Sequence, residues 1–524
     1  MNNEAIKQLE KELWDAADSL RANSKLTAGE YKDPILGLVF LRFAQNLYEQ
    51  KKTAIEASIP AGPRGKRQLT KEDFMAAGAM MLKPEAQYDY LASLPEGKDI
   101  ADAINNAMRL IEVDYTDLQG ILPKNYQEFE SDLLRELVRV FNKDAVRKAT
   151  GDVFGRIYEY FLMKFSMQGA GAQEGGEFFT PPSLVQLIVN FIEPSKGVIL
   201  DPACGSGGMF VQTGYFVQEH TRKSVNEAIT CYGMELKTNN AKLAKINLAI
   251  HGIEGKIIET NSFYTDPHSL VGKCDFVMAN PPFNVNKIDK DKDYVKNDPR
   301  LPFGTPKADN GNYLWIQYFH SYLKENKGRA GFVMASSATD AGHSEKEIRR
   351  QLVETGDVDC IVAVGNNFFY TRSLPCHVWF YDKGKRKENR DKILMLDARN
   401  VYRKVTTTVN DFSEDQLEGL TAIIKLYRGE QPAVRKDNAW FNGLFAEGNY
   451  QDVEGLCKVV TLDEVRENDY SLTPGRYVGV TVTVDDDFDY ASRLSEIQVE
   501  LDALNNEALQ LAKTISLNLK AIGI

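Results

Sequence analysis

The chain has 524 residues, of which 43% are hydrophobic and 26% charged, and its formal net charge is −11. These values are typical of a soluble globular protein with several domains, and no apolar run approaches the roughly 18 residues that a membrane-spanning helix needs. A protein that bound nucleic acid tightly by itself would carry a basic surplus, so we expect any contact with nucleic acid to be local or shared with another subunit.

The six cysteines are scattered along the chain and form no Cys-x-x-Cys pair. This spacing argues against structural zinc and against a disulfide framework, so it predicts no metal site and a reducing, cytoplasmic location. The first residues also lack the basic-then-apolar pattern of a signal peptide.

Residues 1–150 are predicted to form a helical N-terminal domain. Leu9, Leu13 and Leu20 fall at helical spacing, and the apolar run 35–43 indicates a buried helix. The basic segment 61–67 is predicted to be a solvated loop, with a contact to the DNA backbone as the alternative.

The next motif follows a glycine-rich segment at 169–176 and reads Glu177-Phe178-Phe179-Thr180-Pro181-Pro182. Thr180 is a typical N-cap residue and Pro181 suits the first helical position, so a helix is predicted to begin there. By itself the pattern indicates only a capped helix after a flexible loop.

A predicted strand at 198–200 leads into a glycine-rich turn, Asp201-Pro202-Ala203-Cys204-Gly205-Ser206-Gly207-Gly208. A strand, a tight glycine turn and a helix open many nucleotide-binding α/β folds. The turn matches neither a phosphate loop nor a dinucleotide fingerprint. Asp201 would repel a pyrophosphate but suits a ligand with an ammonium and a sulfonium, such as S-adenosylmethionine, which the glycines would let the backbone approach closely.

Two further strand ends carry polar residues. The strand 229–234 is followed by Glu235, which could accept hydrogen bonds from both ribose hydroxyls or could simply be solvated. The predicted strand 257–262 ends with Asn261 near its tip, where the adenine of the cofactor would lie. Parallel strands end at one edge of a sheet, so these residues should lie together.

The predicted strand 274–279 ends in a rigid corner, Asn280-Pro281-Pro282-Phe283. The two prolines fix two φ angles and remove two backbone donors. The amide oxygen of Asn280 and the carbonyl of Pro281 could each accept one N–H of an exocyclic amine, while Phe283 stacks on its ring. An ordinary strand-to-loop turn is the alternative.

After the corner, residues 284–312 lack periodicity, so they should be disordered or functional. Alternating helices and strands as far as 381 complete an α/β sheet of about seven strands in a domain spanning 151–400. The mixed region 401–485 has no clear pattern. Within 486–524, apolar residues from Leu494 to Ile515 repeat at intervals of three and four, which predicts a heptad helix with a partner helix.

Together these motifs resemble those of adenine-N6 DNA methyltransferases. The turn at 201–208 followed by the corner at 280–283 is similar to their cofactor and catalytic motifs, and 177–182 resembles their additional cofactor motif. With the helical domain, the segment 468–478 and the terminal helix, nearly the whole chain resembles the modification (M) subunit of type I restriction-modification systems.

The resemblance implies a seven-stranded, Rossmann-like S-adenosylmethionine-dependent methyltransferase sheet with a helical N-terminal domain and a C-terminal helix. It implies methyl transfer from S-adenosylmethionine to N6 of a flipped-out adenine in double-stranded DNA. It also implies two M subunits with one specificity (S) subunit and a separate restriction (R) subunit, and no membrane partner. The implied catalytic residues are Asn280, Pro281, Pro282 and Phe283. The implied cofactor-binding residues are Glu177, Phe178, Phe179, Thr180, Pro181, Pro182, Asp201, Gly205, Ser206, Gly207, Gly208, Glu235 and Asn261.

Two alternatives remain at this stage. A guanine-N2 RNA methyltransferase or a protein-glutamine methyltransferase could use the same Asn-Pro-Pro-aromatic corner, although the motif at 177–182 argues against both. A non-catalytic assembly subunit could keep the fold without the activity, although the presence of Asp201, Glu235 and Asn280 argues against that.

Overall fold

A computed structural model of the chain describes residues 3–60, 67–168, 180–369, 374–406 and 409–479, together with isolated positions between 498 and 515. The chain divides into two compact units, Met1–Gly479 and Val480–Ile524. In the second unit the described positions are helical. Across the described ranges, no helix has the length and apolar character needed to cross a membrane.

The α-helices of the first unit are, in chain order, α1 (Asn3–Ala22), α2 (Ala28–Ser58), α3 (Lys71–Ala76), α4 (Tyr88–Ala92), α5 (Ile100–Asp114), α6 (Ser131–Val140), α7 (Asp144–Arg147), α8 (Gly151–Met167), α9 (Pro182–Ile192), α10 (Gly208–His220), α11 (Val225–Ala228), α12 (Thr238–Ile250), α13 (Asp293–Lys296), α14 (Asn312–Ser321), α15 (His343–Glu354), α16 (Glu414–Tyr427), α17 (Ala439–Leu444) and α18 (Leu462–Glu467). The strands are β1 (Gly197–Asp201), β2 (Ile229–Glu235), β3 (Gly255–Glu259), β4 (Phe276–Ala279), β5 (Arg329–Ala335), β6 (Val358–Val364), β7 (Cys376–Asp382), β8 (Lys392–Ala398), β9 (Arg403–Lys404), β10 (Asn410–Asp411) and β11 (Cys457–Thr461).

The predicted helical N-terminal region is confirmed and is organised around α2. This helix starts at a capping box between Thr27 and Glu30, which satisfies backbone donors that the first turn leaves free. The predicted buried run 35–43 lies within α2 and forms the centre of a hydrophobic core with α1, α5, α6 and α8.

The central sheet has nine strands in the order β11-β8-β6-β7-β5-β4-β1-β2-β3, so the expectation of seven strands is wrong. The seven strands predicted from the sequence are all present, and β8 and β11 extend the sheet beyond β6. Strand β8 pairs parallel with β6, and β11 pairs antiparallel with β8. The prediction missed both strands because it counted strands only as far as residue 381. A separate two-stranded sheet joins β9 and β10.

Helices cover both faces of the sheet. One hydrophobic core contains α9, α10 and α16, and the core on the opposite face contains α14 and α15. Helix α12 belongs to two cores, because Ala244 and Leu248 pack with the sheet while Leu243, Ile246 and Ile250 pack with the N-terminal helices. The helical region is therefore attached to the sheet through α12.

The strand order reverses between β1 and β4, which pair parallel with each other. Strand β1 continues to β2 and β3 on one side, and β4 continues to β5 on the other. A crevice forms at such a reversal, outside the carboxyl ends of the strands, because the following connections diverge to opposite faces. The polar strand ends named above meet at this edge.

Several local expectations need revision. Helix α9 begins at Pro182 and Pro181 occupies the cap position, so Thr180 is not the N-cap. Strand β3 ends at Glu259, which leaves Asn261 in the following turn. Residues 284–312 are fully described and contain the short helix α13.

Some predicted features lie outside the described residues. These are Glu177, Phe178, Phe179, the glycine-rich segment 169–176, most of the basic segment 61–67, and Leu494 and Ile497 of the heptad pattern. The four boundaries drawn from the sequence, at 1–150, 151–400, 401–485 and 486–524, stay predictions.

A buried ion pair connects the helical layer to the sheet. Arg428, at the end of α16, donates to Asp359 Oδ2 in β6 from Nη2 at 2.8 Å and to the carbonyl of Phe191 from Nη1 at 2.6 Å. The side chain of Asp359 is 1% exposed and that of Arg428 is 8% exposed. Burial raises the pKa of Asp359, but the charge and hydrogen bond of Arg428, together with the charges of Lys385 and Arg329, outweigh burial and lower that pKa.

We expect Asp359→Ala to lower the free energy of unfolding by about 3–5 kcal/mol, because it leaves the buried Arg428 charge without its partner. Urea denaturation of the full chain measures this change. Glu347→Ala is the matched control, since it breaks the exposed pair with Arg350 and should change the free energy of unfolding by less than about 0.5 kcal/mol. Equal changes in the free energy of unfolding for the two substitutions would contradict the assignment of Asp359 and Arg428 as a buried ion pair.

Candidate active site

A cleft of about 380 Å³ lies where the strand order reverses. The ends of β1, β2 and β4 contribute Asp201, Glu235 and Asn280 to its lining, and the turn after β3 contributes Asn261. Its volume falls within the range of small-molecule sites. The cleft therefore brings together strand-end residues that are far apart in sequence, as parallel strand topology predicts.

Asp201 lies at the end of β1 with 1% of its surface exposed. Its Oδ1 accepts the backbone N–H of Ala203 at 3.0 Å. Burial raises the pKa of Asp201 to about 8, and the nearby charge of Glu235 adds to the rise against the opposing effect of the Ala203 hydrogen bond. A carboxyl of this kind favours a cationic ligand, because a positive charge beside it would restore the ionised form.

Glu235 connects the second strand to the glycine turn. Its Oε2 accepts the N–H of Gly205 at 2.9 Å and its Oε1 accepts the N–H of Lys237 at 2.8 Å. The sequence suggests ribose hydroxyls as partners of this carboxylate. In the structure the carboxylate also holds the glycine turn through the N–H of Gly205. An ionised carboxylate has about four acceptor positions, so Glu235 can accept several hydrogen bonds at once.

The glycine turn lies close to one wall of the cleft. Gly205 has φ +52° and Gly207 has φ +79°, a region that residues with a Cβ rarely adopt. A Cβ at Gly207 would stand 2.8 Å from Leu248 Cδ1 of α12, whereas no described atom lies within 4 Å of a Cβ placed at Gly205 or Gly208. Both of these line the cleft, so the turn leaves open space there.

Asn261 acts within its own turn. Its Oδ1 accepts the N–H of Phe263 at 3.0 Å, and the hydroxyl of Ser262 donates to the carbonyl of Pro202 at 2.6 Å. The Ser262 bond joins the turn after β3 to the turn after β1. Phe263 and Tyr264 also line the cleft, which gives it an aromatic wall that the sequence analysis did not identify.

Asn280 is oriented by a residue 100 positions earlier in the chain. Its Nδ2 donates to the hydroxyl oxygen of Thr180 at 2.9 Å. Its Oδ1 is shielded from solvent and accepts no hydrogen bond from the described residues. A buried polar atom without a partner costs about 1–3 kcal/mol, and an incoming N–H donor would satisfy it. Pro281 and Pro282 follow it along the cleft wall.

Phe283 packs between the corner and a loop at the same sheet edge. Its ring meets the ring of Phe369 edge to face, with centroids 6.4 Å apart. Phe369 is buried, and it lies in the connection between β6 and β7. The sequence analysis missed Phe369, because the only signal was an aromatic pair beyond the end of a strand.

The segment after the corner forms a further wall. Residues 285–288 line the cleft, and Asn284 and Asn312 exchange hydrogen bonds at 2.9 and 2.8 Å across its base. Farther along, Arg300 pairs with Asp298, both fully buried, and the guanidinium stacks 3.9 Å from the Tyr318 ring centroid. Residues 284–312, which were predicted to be disordered or functional, are therefore ordered, and part of this segment forms a wall of the cleft.

Comparison with known proteins identifies the family. The sequence model described as "N-6 DNA Methylase" matches residues 149–486, and the model described as "HsdM N-terminal domain" matches residues 9–141. This chain belongs to the N-6 DNA methylase family. It is 34% identical to the type I restriction enzyme MjaIX methylase subunit of Methanocaldococcus jannaschii, across 99% of this chain and 92% of the relative. It is 32% identical to the HindI methylase subunit of Haemophilus influenzae, across 82% of this chain and 95% of the relative.

Solved structures agree on the fold. The crystal structure of a type I restriction-modification methyltransferase subunit from Streptococcus thermophilus matches with a TM-score of 0.71 at 20% identity, covering 90% of this chain and 99% of that one. A chain from a study of complex assembly in a type I system matches with a TM-score of 0.57 at 19% identity, covering 98% of each. The methylase is thus a methylation subunit of the type I restriction-modification class, and the RNA and protein alternatives fall away.

The structure of the methylase brings most of the sequence-predicted site residues to one cleft. Those lining it are Thr180, Asp201, Gly205, Ser206, Gly208, Glu235, Asn261, Asn280, Pro281 and Pro282. Gly207 lies behind the turn against α12, and Phe283 lies at the corner. Three lining residues from the N-terminal region, Lys32, Leu162 and Ser166, were missed, because their sequence carries only a helical pattern.

The pKa of Asp201 makes the stability of the methylase depend on pH. The folded protein retains a proton up to about pH 8 that the unfolded chain releases near pH 4, so the free energy of unfolding falls as pH rises through that window. Asp201→Asn removes this cost and can keep the hydrogen bond from Ala203. We expect the ligand-free variant to melt roughly 2–4 °C above the parent at pH 7.5 and to match it more closely at pH 5. Calorimetric melting of both proteins at both pH values tests this. A gain in melting temperature over the parent that is smaller at pH 7.5 than at pH 5 would contradict it.

Proposed function

We propose that the methylase binds S-adenosylmethionine in the cleft and transfers its methyl group to N6 of an adenine flipped out of double-stranded DNA. The observation that carries the proposal is the buried Asn280 Oδ1, which lacks a hydrogen-bond donor among the described residues. Thr180 holds the nitrogen of the amide, so the oxygen stays available as an acceptor at a residue that lines the cleft. An exocyclic amine supplies the donor that it lacks.

The residues present suit this cofactor. Asp201, which accepts one backbone N–H, would meet the ammonium, and the Glu235 carboxylate would accept hydrogen bonds from the ribose hydroxyls. The open space at Gly205 and Gly208 admits a ligand against the backbone, and the turn of Asn261 presents an aromatic wall to its adenine. By resemblance, the motif Glu177 to Pro182 would also belong to the cofactor site, and Thr180 of this motif lines the cleft.

S-adenosylmethionine supplies a methyl group bonded to a positively charged sulfur. Asn280 Oδ1 and the carbonyl of Pro281 accept the two N–H groups of N6, which favours a more tetrahedral nitrogen and frees its lone pair. The same acceptors stabilise the positive charge that develops on N6. Phe283 stacks on the flipped ring, which contributes roughly 1–3 kcal/mol. No separate base is needed before the nitrogen attacks, because the methyl–nitrogen bond would form as the methyl–sulfur bond breaks, the sulfur would leave as a neutral thioether, and N6 would release one proton to water afterwards.

DNA and further subunits are proposed partners. Adenine within a duplex cannot reach the Asn280 corner, so the base has to leave the stack at a cost of a few kcal/mol. The relatives are named as subunits of type I restriction enzymes, and a net charge of −11 suits a chain that shares DNA binding. We propose two copies of this chain with one S subunit that reads the DNA, and an R subunit in the full complex.

We expect Asn280→Ala to lose methyl transfer by at least about 100-fold while keeping cofactor affinity, because Asn280 faces the base. Tritiated-methyl transfer to DNA by the complex co-expressed with its S subunit measures the first effect, and calorimetry measures the second. Gly205→Val is the opposite control. Its branched side chain would fill the open space beside the turn and strain a positive φ, so cofactor binding should be lost. Loss of cofactor affinity in Asn280→Ala would contradict the assignment.

The second unit, Val480–Ile524, is proposed to dock on a partner subunit. Leu501, Leu504, Leu511 and Ile515 are each more than half exposed, and a helix with such a stripe is stabilised by a covering helix.

We expect deletion of 480–524 to preserve cofactor affinity and to weaken or abolish assembly with the S subunit. Size-exclusion chromatography of the co-expressed proteins tests this. A full complex that still methylates its site would place the interface elsewhere.

A further inference from the structure

The helical N-terminal region contributes a positive charge to the cofactor cleft. Lys32, in the first turns of α2, lines the cleft together with Leu162 and Ser166 of α8. Its side chain is 17% exposed. Nothing in the local sequence marks this lysine, since it stands beside the apolar run of a core helix.

Among the described residues, the cleft lining contains two carboxylates and two lysines. The carboxylates are Asp201 and Glu235, and the lysines are Lys32 and Lys287. Lys287 is on the wall formed by the segment after the Asn280 corner, where the neighbouring Asp289 N–H donates to the hydroxyl of Tyr264. It therefore lies on the side of the aromatic turn, whereas Lys32 belongs to the opposite, helical side.

Packing places Lys32 on the side of the glycine turn. Helix α12 lies against this turn, because Asn247 Nδ2 donates to the carbonyl of Ser206 at 2.9 Å and Leu248 packs beside Gly207. Helix α2 packs against α12 in turn, and Leu243 of α12 both lines the cleft and belongs to the helical core. Lys32 and the glycine turn thus flank the same part of the cleft.

The ion pair that Lys32 makes with the described residues is long. Its Nζ lies 3.7 Å from Asp33 Oδ1, which is longer than a hydrogen bond. Burial raises the pKa of the Asp33 carboxyl, against the opposing charges of Lys32 and Lys242. An anion in the cleft that approached the lysine within hydrogen-bond distance would be a stronger partner.

We propose that Lys32 binds the carboxylate of S-adenosylmethionine, which extends the proposed function and rests on it. The cofactor carries two positive groups and one negative group, and Asp201 and Glu235 suit the positive groups and the hydroxyls. The carboxylate needs a donor on the side of the glycine turn, and Lys32 is the cation that the described lining residues supply on that side. The helical region then takes part in cofactor binding as well as in subunit structure.

The experiment compares two ligands that differ only in the carboxylate, S-adenosylmethionine and decarboxylated S-adenosylmethionine. Calorimetry with the full chain gives both affinities in one protein preparation, so the fraction of folded protein cancels from their ratio. In the parent we expect the decarboxylated ligand to bind about tenfold more weakly. Lys32→Gln should weaken S-adenosylmethionine about tenfold, equivalent to about 1.4 kcal/mol, and leave the decarboxylated ligand unchanged.

Two variants serve as controls. Lys32→Arg keeps the charge and should retain most of the preference for the carboxylate. Lys242→Gln removes a lysine that influences Asp33 but does not line the cleft, and both affinities should stay at the parent values. Equal weakening of both ligands by Lys32→Gln, or no weakening of either, would overturn the proposal. A parent protein that binds neither ligand would instead overturn the proposed cofactor site itself.

Discussion

The hydrogen bond from Asn280 Nδ2 to the Thr180 hydroxyl is the contact on which the proposed catalytic geometry depends. It joins the end of β4 to the segment that enters α9, and α9 packs across the sheet in the main hydrophobic core. With its nitrogen held, the amide presents its oxygen as an acceptor. Two prolines after Asn280 restrict the backbone, so the orientation of the acceptor is set before any base arrives.

The same cleft contains two acidic side chains whose closeness destabilises the ligand-free protein. Asp201 is buried deeply enough that its pKa rises to about 8, and Glu235 lies close enough to add to that rise. Glu235 is in turn held by two backbone N–H groups, including that of Gly205. A site built from two acidic groups in low exposure is destabilising without a ligand, and it favours a ligand that carries positive charge. Stability without ligand and affinity for a cationic cofactor are therefore coupled through Asp201.

The helical region and the sheet share α12, and this sharing shapes the cleft. One side of α12 packs with the N-terminal helices and the other packs behind the glycine turn. Lys32, Leu162 and Ser166 reach the cleft wall through this arrangement. A displacement of the N-terminal helices relative to the sheet would move one wall of the cleft, so cofactor affinity should respond to the packing of α2 and α8.

The sequence by itself determined the residue types at the strand ends and their order along the chain. Asp201, Glu235 and Asn280 each follow an apolar strand, and parallel strands end at one edge, so their meeting was predictable from local patterns. Tertiary structure alone decided that Thr180 orients Asn280 instead of capping α9, that β8 and β11 extend the sheet to nine strands, and that Lys32 and Phe369 reach the site region. The physical reason is the distance along the sequence over which each effect acts. Hydrophobic period and backbone restriction act over a few residues, whereas these contacts join positions far apart in sequence and arise only when helices pack against the sheet.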